Sequence, residues 1–526
     1  MPKKEMPSDV KEVAEQMTKA QKKAAKHQGE PFDVYAYPAP TGADLTNPDA
    51  LAAYNKRLSG WLPAWLTVRF SVKNHETKRI VYVNEVVYGD AFLKQRPMLS
   101  LSALPEGAQY LDDSGTWEFF KRGGANSVIE AQATKDLTAW GAYSDNNVQK
   151  IRKYIRRASH DPNAGESSPF DHVKPELVAF KNGTYDIKTG QLREHQAKDY
   201  LRARHDYAVD PTNNRAPETR KLLTAMLGDA AQFFIEYIGY MFYHSYAPFQ
   251  FLVFLHGDGG EGKSTLLAHL ANNILGKENV STVVPAELSG ERSHFNVMLL
   301  KDKEANICAD ISDGRLTNTG VLKSLTGNDL TKGENKGQDG VTFTNHAKLL
   351  FSANELPTFS DTTAGFADRV KVMRLINGDT RKNPGWWDQF DTKKIEAEAP
   401  AFAMESIQAF KAAMDRGKFS NSDALETSTN EWLTENDIFG QFLEDRCRVM
   451  RGNADLQTDP QQFYRSCKAW YEGSGYMPLS LKTISAKLQQ RGISRRRVRV
   501  GEDRPYRYIG VELKENKPWA LLDGGH

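Results

Sequence analysis

The stretch Gly257-Asp258-Gly259-Gly260-Glu261-Gly262-Lys263-Ser264, together with Thr265, has the residues of a loop that holds phosphate. Its glycines let backbone N–H groups turn toward an anion, and a helix starting at the lysine adds positive potential. Lys263 is spaced to reach the outer phosphates of a nucleoside triphosphate such as ATP, and Ser264 to give its hydroxyl to Mg²⁺. Kinases, switches and motors share such a loop, so the reaction must be read from residues further along the chain.

Three polar residues there each stand beside a short apolar run. Asp310 closes residues 305–309. An acid at a strand's carboxyl end near a phosphate loop can hold the Mg²⁺ hydration shell and position an attacking water. Asp313 is a second candidate for that role, and a plain strand cap is the non-catalytic reading of Asp310. Asn354 closes residues 348–353, where its amide orients a water, senses the terminal phosphate, or simply turns the chain with Pro357. Arg369, in Phe366-Ala367-Asp368-Arg369-Val370, is a candidate arginine finger for a neighbouring copy's nucleotide, worth roughly 10³–10⁵ in rate. Its alternative is an ion pair with Asp368. Asp310 lies 47 residues beyond Lys263, Asn354 a further 44 and Arg369 a further 15, so the whole set is compact.

The elements that must position these residues are legible in outline. Residues 250–256 (QFLVFLH) are short and apolar, as a buried parallel strand requires, and residues 266–270 continue as a helix. Residues 249–380 alternate strands with helices, which is the α/β pattern. Upstream, Leu222, Leu223, Met226, Leu227, Phe234, Ile235, Ile238 and Met241 recur at helical spacing across residues 218–246. Residues 65–72 and 79–87 are β-rich, and Ile187-Lys188-Thr189-Gly190 reads as a hairpin turn. The expected organisation is a tail (1–34), an N-terminal α+β accessory domain (35–217), the α/β core (218–380), a helical segment (381–430) and a smaller domain (431–526).

Bulk properties exclude several classes. The chain of 526 residues is 40% hydrophobic and 26% charged, an ordinary soluble composition that can bury several cores. Its three cysteines, Cys308, Cys447 and Cys467, form no CxxC pair, which argues against a disulfide framework or zinc site and fits a reducing cytoplasm. No apolar run approaches ~18 residues, so no membrane span is expected. His256 and His346 sit beside apolar strands and read as packed histidines. Trp386-Trp387 reads as packing at a helix start.

Charge is uneven. Residues 481–510 hold nine Lys or Arg against Glu502 and Asp503, while the whole chain has a net charge of only +2. A helix over residues 479–490, then alternating runs at 495–500 and 506–511, suggests a winged helix. Arg495, Arg496, Arg497 and Arg499, interleaved with Tyr506 and Tyr508, suit a DNA phosphate backbone.

The compact set resembles that of superfamily 3 helicases, the AAA+-type hexameric motors, and in particular the phage and plasmid primase–helicase family. The resemblance is carried by residues 180–190 (FKNGTYDIKTG), 322–329 (LKSLTGND) and 351–357 (FSANELP). It implies a P-loop AAA+-type ATPase core and an ATP-dependent DNA helicase that unwinds 3′→5′ during replication. Mg²⁺ is the implied metal, held through water by Ser264 and Asp310. It also implies assembly as a hexamer, in a bacterial host's cytoplasm if phage- or plasmid-encoded. The segment 331–341 would form a hairpin in the ring channel, with Lys332 and Lys336 on single-stranded DNA. Duplex or forked DNA would then meet the C-terminal domain. This sequence departs from the family in having one acid, Asp310, with Ile311 next to it, where many members carry an acidic pair or a Glu. That leaves the water-activating group open. Residues 1–150 show no primase constellation, since Asp112-Asp113 falls in a turn-like segment. An ATP-dependent origin-binding or loader protein is the alternative, and a small-substrate kinase a third reading that Asn354, Arg369 and the basic block oppose.

Overall fold

The computed structural model describes residues 47–60, 62–73, 76–102, 104–161, 168–290, 292–311, 315–316, 318–334, 340–359, 364–499 and 503–514. The expected tail, 1–34, lies outside them, as do Asp313 and Lys336. The chain divides into two compact units. The first comprises Met1–Lys174, Ala179–Thr184 and Arg193–Arg204, and the second the remainder.

In the first unit, helix α1 (Pro48–Ser59) packs on strand β1 (Leu66–Lys73), which pairs antiparallel with β2 (Glu76–Val83). The strand expected to run to Val87 stops at Val83. The Asn84 side chain accepts the Val86 and Val87 N–H groups, and this cap starts helix α2 (Glu85–Gln95). Helices α3 (Gly124–Ala139) and α4 (Asp145–Ala158) complete a core of Val68, Phe70, Tyr88, Ile129 and Ile151. A second cluster surrounds Trp117, with Tyr110 and Phe170. Asp112 and Asp113 are exposed in a turn.

The second unit is built on one sheet. Residues 217–241 form two helices, α5 (Pro217–Leu227) and α6 (Ala231–Met241), rather than one. Gly228, at φ 57°, ends the first. Strand β3 (Leu252–His256) leads into α7 (Lys263–His269). Strands β4 (Val280–Ser281) and β5 (Ala305–Ile311) come next, then α8 (Thr319–Thr326), the antiparallel pair β6 (Leu330–Gly333) and β7 (Val341–Thr344), then β8 (Lys348–Ala353) and β9 (Val370–Arg374). The central sheet is parallel throughout, in the order β4–β5–β8–β3–β9. The strand before the glycine loop is thus flanked by the Asn354 strand and the Arg369 strand, and the Asp310 strand is one further out. Continuous apolar runs make this possible. All six residues of β8 are buried, as a strand covered on both faces requires. Phe254 packs at a tilt against Phe351 and Trp432, with 5.4 and 5.1 Å between ring centroids, each ring contributing about 1.5–3 kcal/mol by burial.

The helical residues after the sheet belong to it structurally. Helix α9 (Ala399–Arg416) packs along α6. Its neighbour Glu398 accepts the Glu218 and Thr219 N–H groups, supplying the cap that α5 lacks locally. Helix α10 (Asp423–Asn436) places Trp432 in the sheet's core cluster, whereas a separate cluster begins near Phe439. That cluster contains α11 (Ile438–Arg446), α12 (Pro460–Gly473), α13 (Leu481–Gln490) and a three-stranded sheet of Gln457–Thr458, β10 (Ser494–Arg497) and β11 (Tyr506–Ile509). Gly190, at φ 73°, closes the turn expected there, with its N–H on the Asp186 carbonyl.

Candidate nucleotide site

Register aligns the carboxyl ends of four strands. Ile311 pairs with Ala353, Ala353 with His256, and His256 with Arg374. Gly257 and Asn354 therefore leave the sheet together, one residue beyond that level, and the Asp310 backbone lies one residue before it. Strand β5 continues through Ile311 rather than ending before Asp310, with a register irregularity between Cys308 and Ile311. The Asp310 side chain lies outside the description.

The loop itself is bent by positive φ at Gly259, Gly260 and Gly262 (103°, 88° and 89°). A Cβ on Gly262 would sit 2.4 Å from the Trp387 ring, and one on Gly260 2.0 Å from Asp379 Oδ1, so only glycine fits. The Gly259 N–H donates to both Glu261 carboxylate oxygens at 2.9 Å. Lys263 Nζ donates to Glu261 Oε2 at 3.1 Å and to the Gly257 carbonyl at 2.8 Å. Both side chains are buried, at 4% exposure each. The donors of the loop thus converge on the Glu261 carboxylate. Burial pushes its pKa up, but its own backbone N–H, Lys263 and Gly259 outweigh this and hold it below the usual carboxylate value. The loop therefore fits an anion, and Ser264 and Thr265 are exposed in the first turn behind it.

Asn354 is brought to the loop, about a van der Waals contact from where a Gly259 Cβ would stand. The His256 ring nitrogen Nε2 lies 3.1 Å from the Asn354 carbonyl oxygen, tying the two strand ends. Arg369 is not brought there. It precedes β9 at the sheet's opposite edge, where it donates to the Gly365 carbonyl (2.8 Å) and Gln250 Oε1 (2.9 Å), not to Asp368. Two cations that sequence reading missed flank the loop: Arg374, 4.0 Å from Asp258, and Arg381, whose Nε lies 2.7 Å from where a Gly260 Cβ would stand. Sequence reading also missed the segment behind the loop. Thr380 donates its N–H and hydroxyl to the Gly260 carbonyl, and Asn377 donates to that of Glu261. Trp387 packs on Gly262 at the start of α7 and donates to Thr380 Oγ1 at 3.2 Å. These residues fall in a bend and two short 3₁₀ helices, Thr380–Lys382 and Pro384–Gln389, without motif spacing.

At the sheet's amino edge lies a closed polar cluster. Glu304 Oε1 is 3.2 Å from His205 Nε2 and 3.3 Å from His244 Nε2. The His346 ring lies 5.1 Å from that of His244, tilted by 50°, and Lys348 donates to the His346 carbonyl at 2.7 Å with its ammonium 4.2 Å from the Tyr240 ring. Burial raises the Glu304 pKa, but the two histidines outweigh it and bring it down to about 2. Burial, with His244 and Lys348 nearby, holds His346 well below its usual value. Among the described residues no group of three or more acidic, His or Cys side chains could hold a metal ion.

Of the expected DNA contacts, Lys332 is exposed on the β6–β7 pair, 3.6 Å from Glu334. Arg495, Arg496, Arg497 and Arg499 are exposed at the β10 hairpin, and the guanidinium groups of Arg495 and Arg497 lie 4.5 and 5.1 Å from the Tyr506 ring. Among the described residues no helix is long and apolar enough to cross a membrane.

Residues 4–232 match a family described as D5 N terminal like, and residues 255–369 a family of unknown function, DUF5906. The second match spans the loop, Asp310, Asn354 and Arg369. The chain is 27% identical over 334 residues, 57% of its length, to "Putative helicase 121R" of Invertebrate iridescent virus 3. It covers 35% of that relative, so it spans about a third of the curated protein it matches. The apo structure of the NrS-1 C terminal region superimposes with a TM-score of 0.46 at 14% identity, over 81% of this chain and 99% of that one. A JCV helicase structure gives 0.26 at 14% identity, over 52% and 68%.

Proposed function

We propose that this chain is an ATP-dependent DNA helicase, working as a hexameric ring of copies of itself. The observation that carries the reading is the convergence of the Gly259 N–H and Lys263 Nζ on the Glu261 carboxylate, at a parallel strand's carboxyl end beside Asn354. The relative named as a helicase supports the choice of motor over kinase.

In this reading Gly259 and Lys263 hold the triphosphate once Glu261 swings aside. Ser264, with Asp310 through water, holds Mg²⁺. Bound Mg²⁺–ATP supplies the phosphoanhydride whose hydrolysis drives movement. Asn354 orients the attacking water. Arg374 adds positive charge within the same copy. Arg369 stands about 16 Å away along β9, at ~3.3 Å per residue, so it serves a neighbouring copy's site. Lys332 and Lys336 hold a single strand, and Arg495, Arg496, Arg497 and Arg499, on a winged helix, hold the duplex or fork.

The test is forked-DNA unwinding with ATP by Lys263→Ala, and unwinding by that variant sinks the proposal. Mixing Lys263→Ala with Arg369→Ala chains tests the ring: partial recovery of hydrolysis is expected, because one mixed interface keeps both groups. The paired arginines over Tyr506 favour one second reading, an origin-binding or loader protein. Tight duplex binding with ATP hydrolysis but no strand displacement would select it.

A further inference from the structure

The β1–β2 hairpin of the first unit has a face that the proposed motor leaves unused. Strand alternation sends Leu66, Val68 and Phe70 into the core. Register then determines the outward face, with Thr67 opposite Tyr82, Arg69 opposite Ile80 and Ser71 opposite Lys78. Tyr82 is 55% exposed and Ile80 47%, and Arg69 and Lys78 are exposed beside them. Neighbours on one face stand about 6.7 Å apart along a strand and about 4.8 Å across it, so ring, aliphatic side chain and cations form one patch. Leaving Tyr82 and Ile80 in water contributes nothing to folding, and the two apolar side chains stand together among exposed charges.

The chemistry of the patch selects its occupant. Cations attract phosphates, and an exposed ring accepts a stacked base, which is the combination that binds single strands without regard to sequence. A duplex keeps its base faces stacked on one another and would leave Tyr82 idle. A protein strand would add at an edge of the sheet, through backbone groups, and leave the outward Tyr82 ring unused; on β1 that edge is also occupied at Phe70 by Asn55 from α1. Its side chain accepts the Phe70 N–H at 2.9 Å and donates to the Phe70 carbonyl at 3.2 Å. Arg79 points inward, 5.2 Å from the Phe70 ring, so the outward charges are Arg69, Lys73 and Lys78 against Glu76. The balance is positive, as a polyanion requires.

We infer that the outward face of β1–β2, centred on Tyr82, Ile80, Arg69 and Lys78, binds single-stranded nucleic acid, apart from the basic hairpin at residues 494–509. The full chain, without nucleotide, is titrated into fluorescein-labelled oligothymidylate, and a 5-iodouracil oligonucleotide is photocrosslinked to it and mapped by mass spectrometry. Absence of nucleotide separates this result from that of the hydrolysis test. Crosslinking to the peptide carrying Tyr82 is expected. Tyr82→Ala should weaken binding at least about five-fold, the lower end for loss of one stacked base, while Tyr82→Phe keeps the ring and stays near wild type. Replacing Arg69 and Lys78 by Ala should flatten the log–log salt slope by about 1.4. Unchanged affinity in Tyr82→Ala, equal losses in the Ala and Phe variants, or crosslinks confined to residues 331–341 and the C-terminal hairpin would overturn the inference. So would a change in self-association at unchanged affinity, which would assign the face to a second copy.

Discussion

The two ends of the central sheet both hold a buried acid against a cation or histidine, yet they are built for opposite purposes. At the carboxyl end, Glu261 is held by its own backbone N–H, that of Gly259 and one lysine, on a loop of glycines with exposed Ser264 beside it. Each of those donors suits a phosphate equally well, so the carboxylate can be exchanged. At the amino end, Glu304 lies between His205 and His244 with no exposed surface, and Lys348 is enclosed by carbonyls and tyrosine rings. Nothing there can leave without stranding a charge. Similar pairings therefore give a candidate binding site in one place and a closed cluster in the other.

Four substitutions put this contrast at risk. The largest effect is expected at the amino end. Glu304→Ala should cost about 3–5 kcal/mol of stability by leaving its partners unpaired, read as a lowered denaturation midpoint. Unchanged stability would mean the cluster is not structural. Next, Lys263→Ala should reduce ATP hydrolysis at least about 100-fold, with a thermal midpoint close to wild type, measured by phosphate release. A large loss of stability instead would make the loop's pair structural too.

Acid should act on the amino end through His346. Its folded pKa is depressed, so the unfolded chain takes up the proton first. Stability is complete above about pH 6.5 and falls by about 1.4 kcal/mol per unit below it. Glu304 acts in a lower window. Its stabilisation is present above its ordinary value of 4.5 and is lost as pH falls toward about 2. Melting His346→Phe beside wild type between about pH 6.5 and 5 should show the flatter dependence in the variant, and parallel curves would dismiss His346 as the source. The smallest effect belongs to Glu261. If it competes for the cradle, Glu261→Ala should bind nucleotide up to about ten-fold more tightly, since the competent state no longer has to displace an anion. Calorimetric titration reads this directly, and weaker binding would make Glu261 a part of the site rather than its occupant.

The carboxyl end was legible because it is local. Glycines leading to Lys263 and Ser264 specify a loop and a helix start within eight residues, and the apolar run before them specifies a buried strand. Asn354 was legible for the same reason, as the polar residue closing a second buried strand. The hairpin carrying Tyr82 was half legible. Alternation was evident, but the strand's end was misplaced because Asn84 acts as a helix cap, a role shared with many turn asparagines. Arg374 and Trp387 carried no signal. Their importance comes from strand pairing with His256 and from contact with Gly262, neither of which leaves a spacing in the chain.

Features within reach of a single turn or strand were written in the chain alone: a glycine loop between a buried strand and a helix, the residue closing β8, and a basic C-terminal hairpin. Which residues share an edge of the sheet was a matter for tertiary structure. Strand order put β8 and β9 on either side of β3, sending Arg374 to the loop's edge and Arg369 to the far one. It also gathered His205, His244, Glu304 and Lys348 from separate segments into one closed cluster. Local preferences depend on neighbouring residues along the chain, whereas strand order depends on which apolar faces pack together, and that is settled only when the whole core closes.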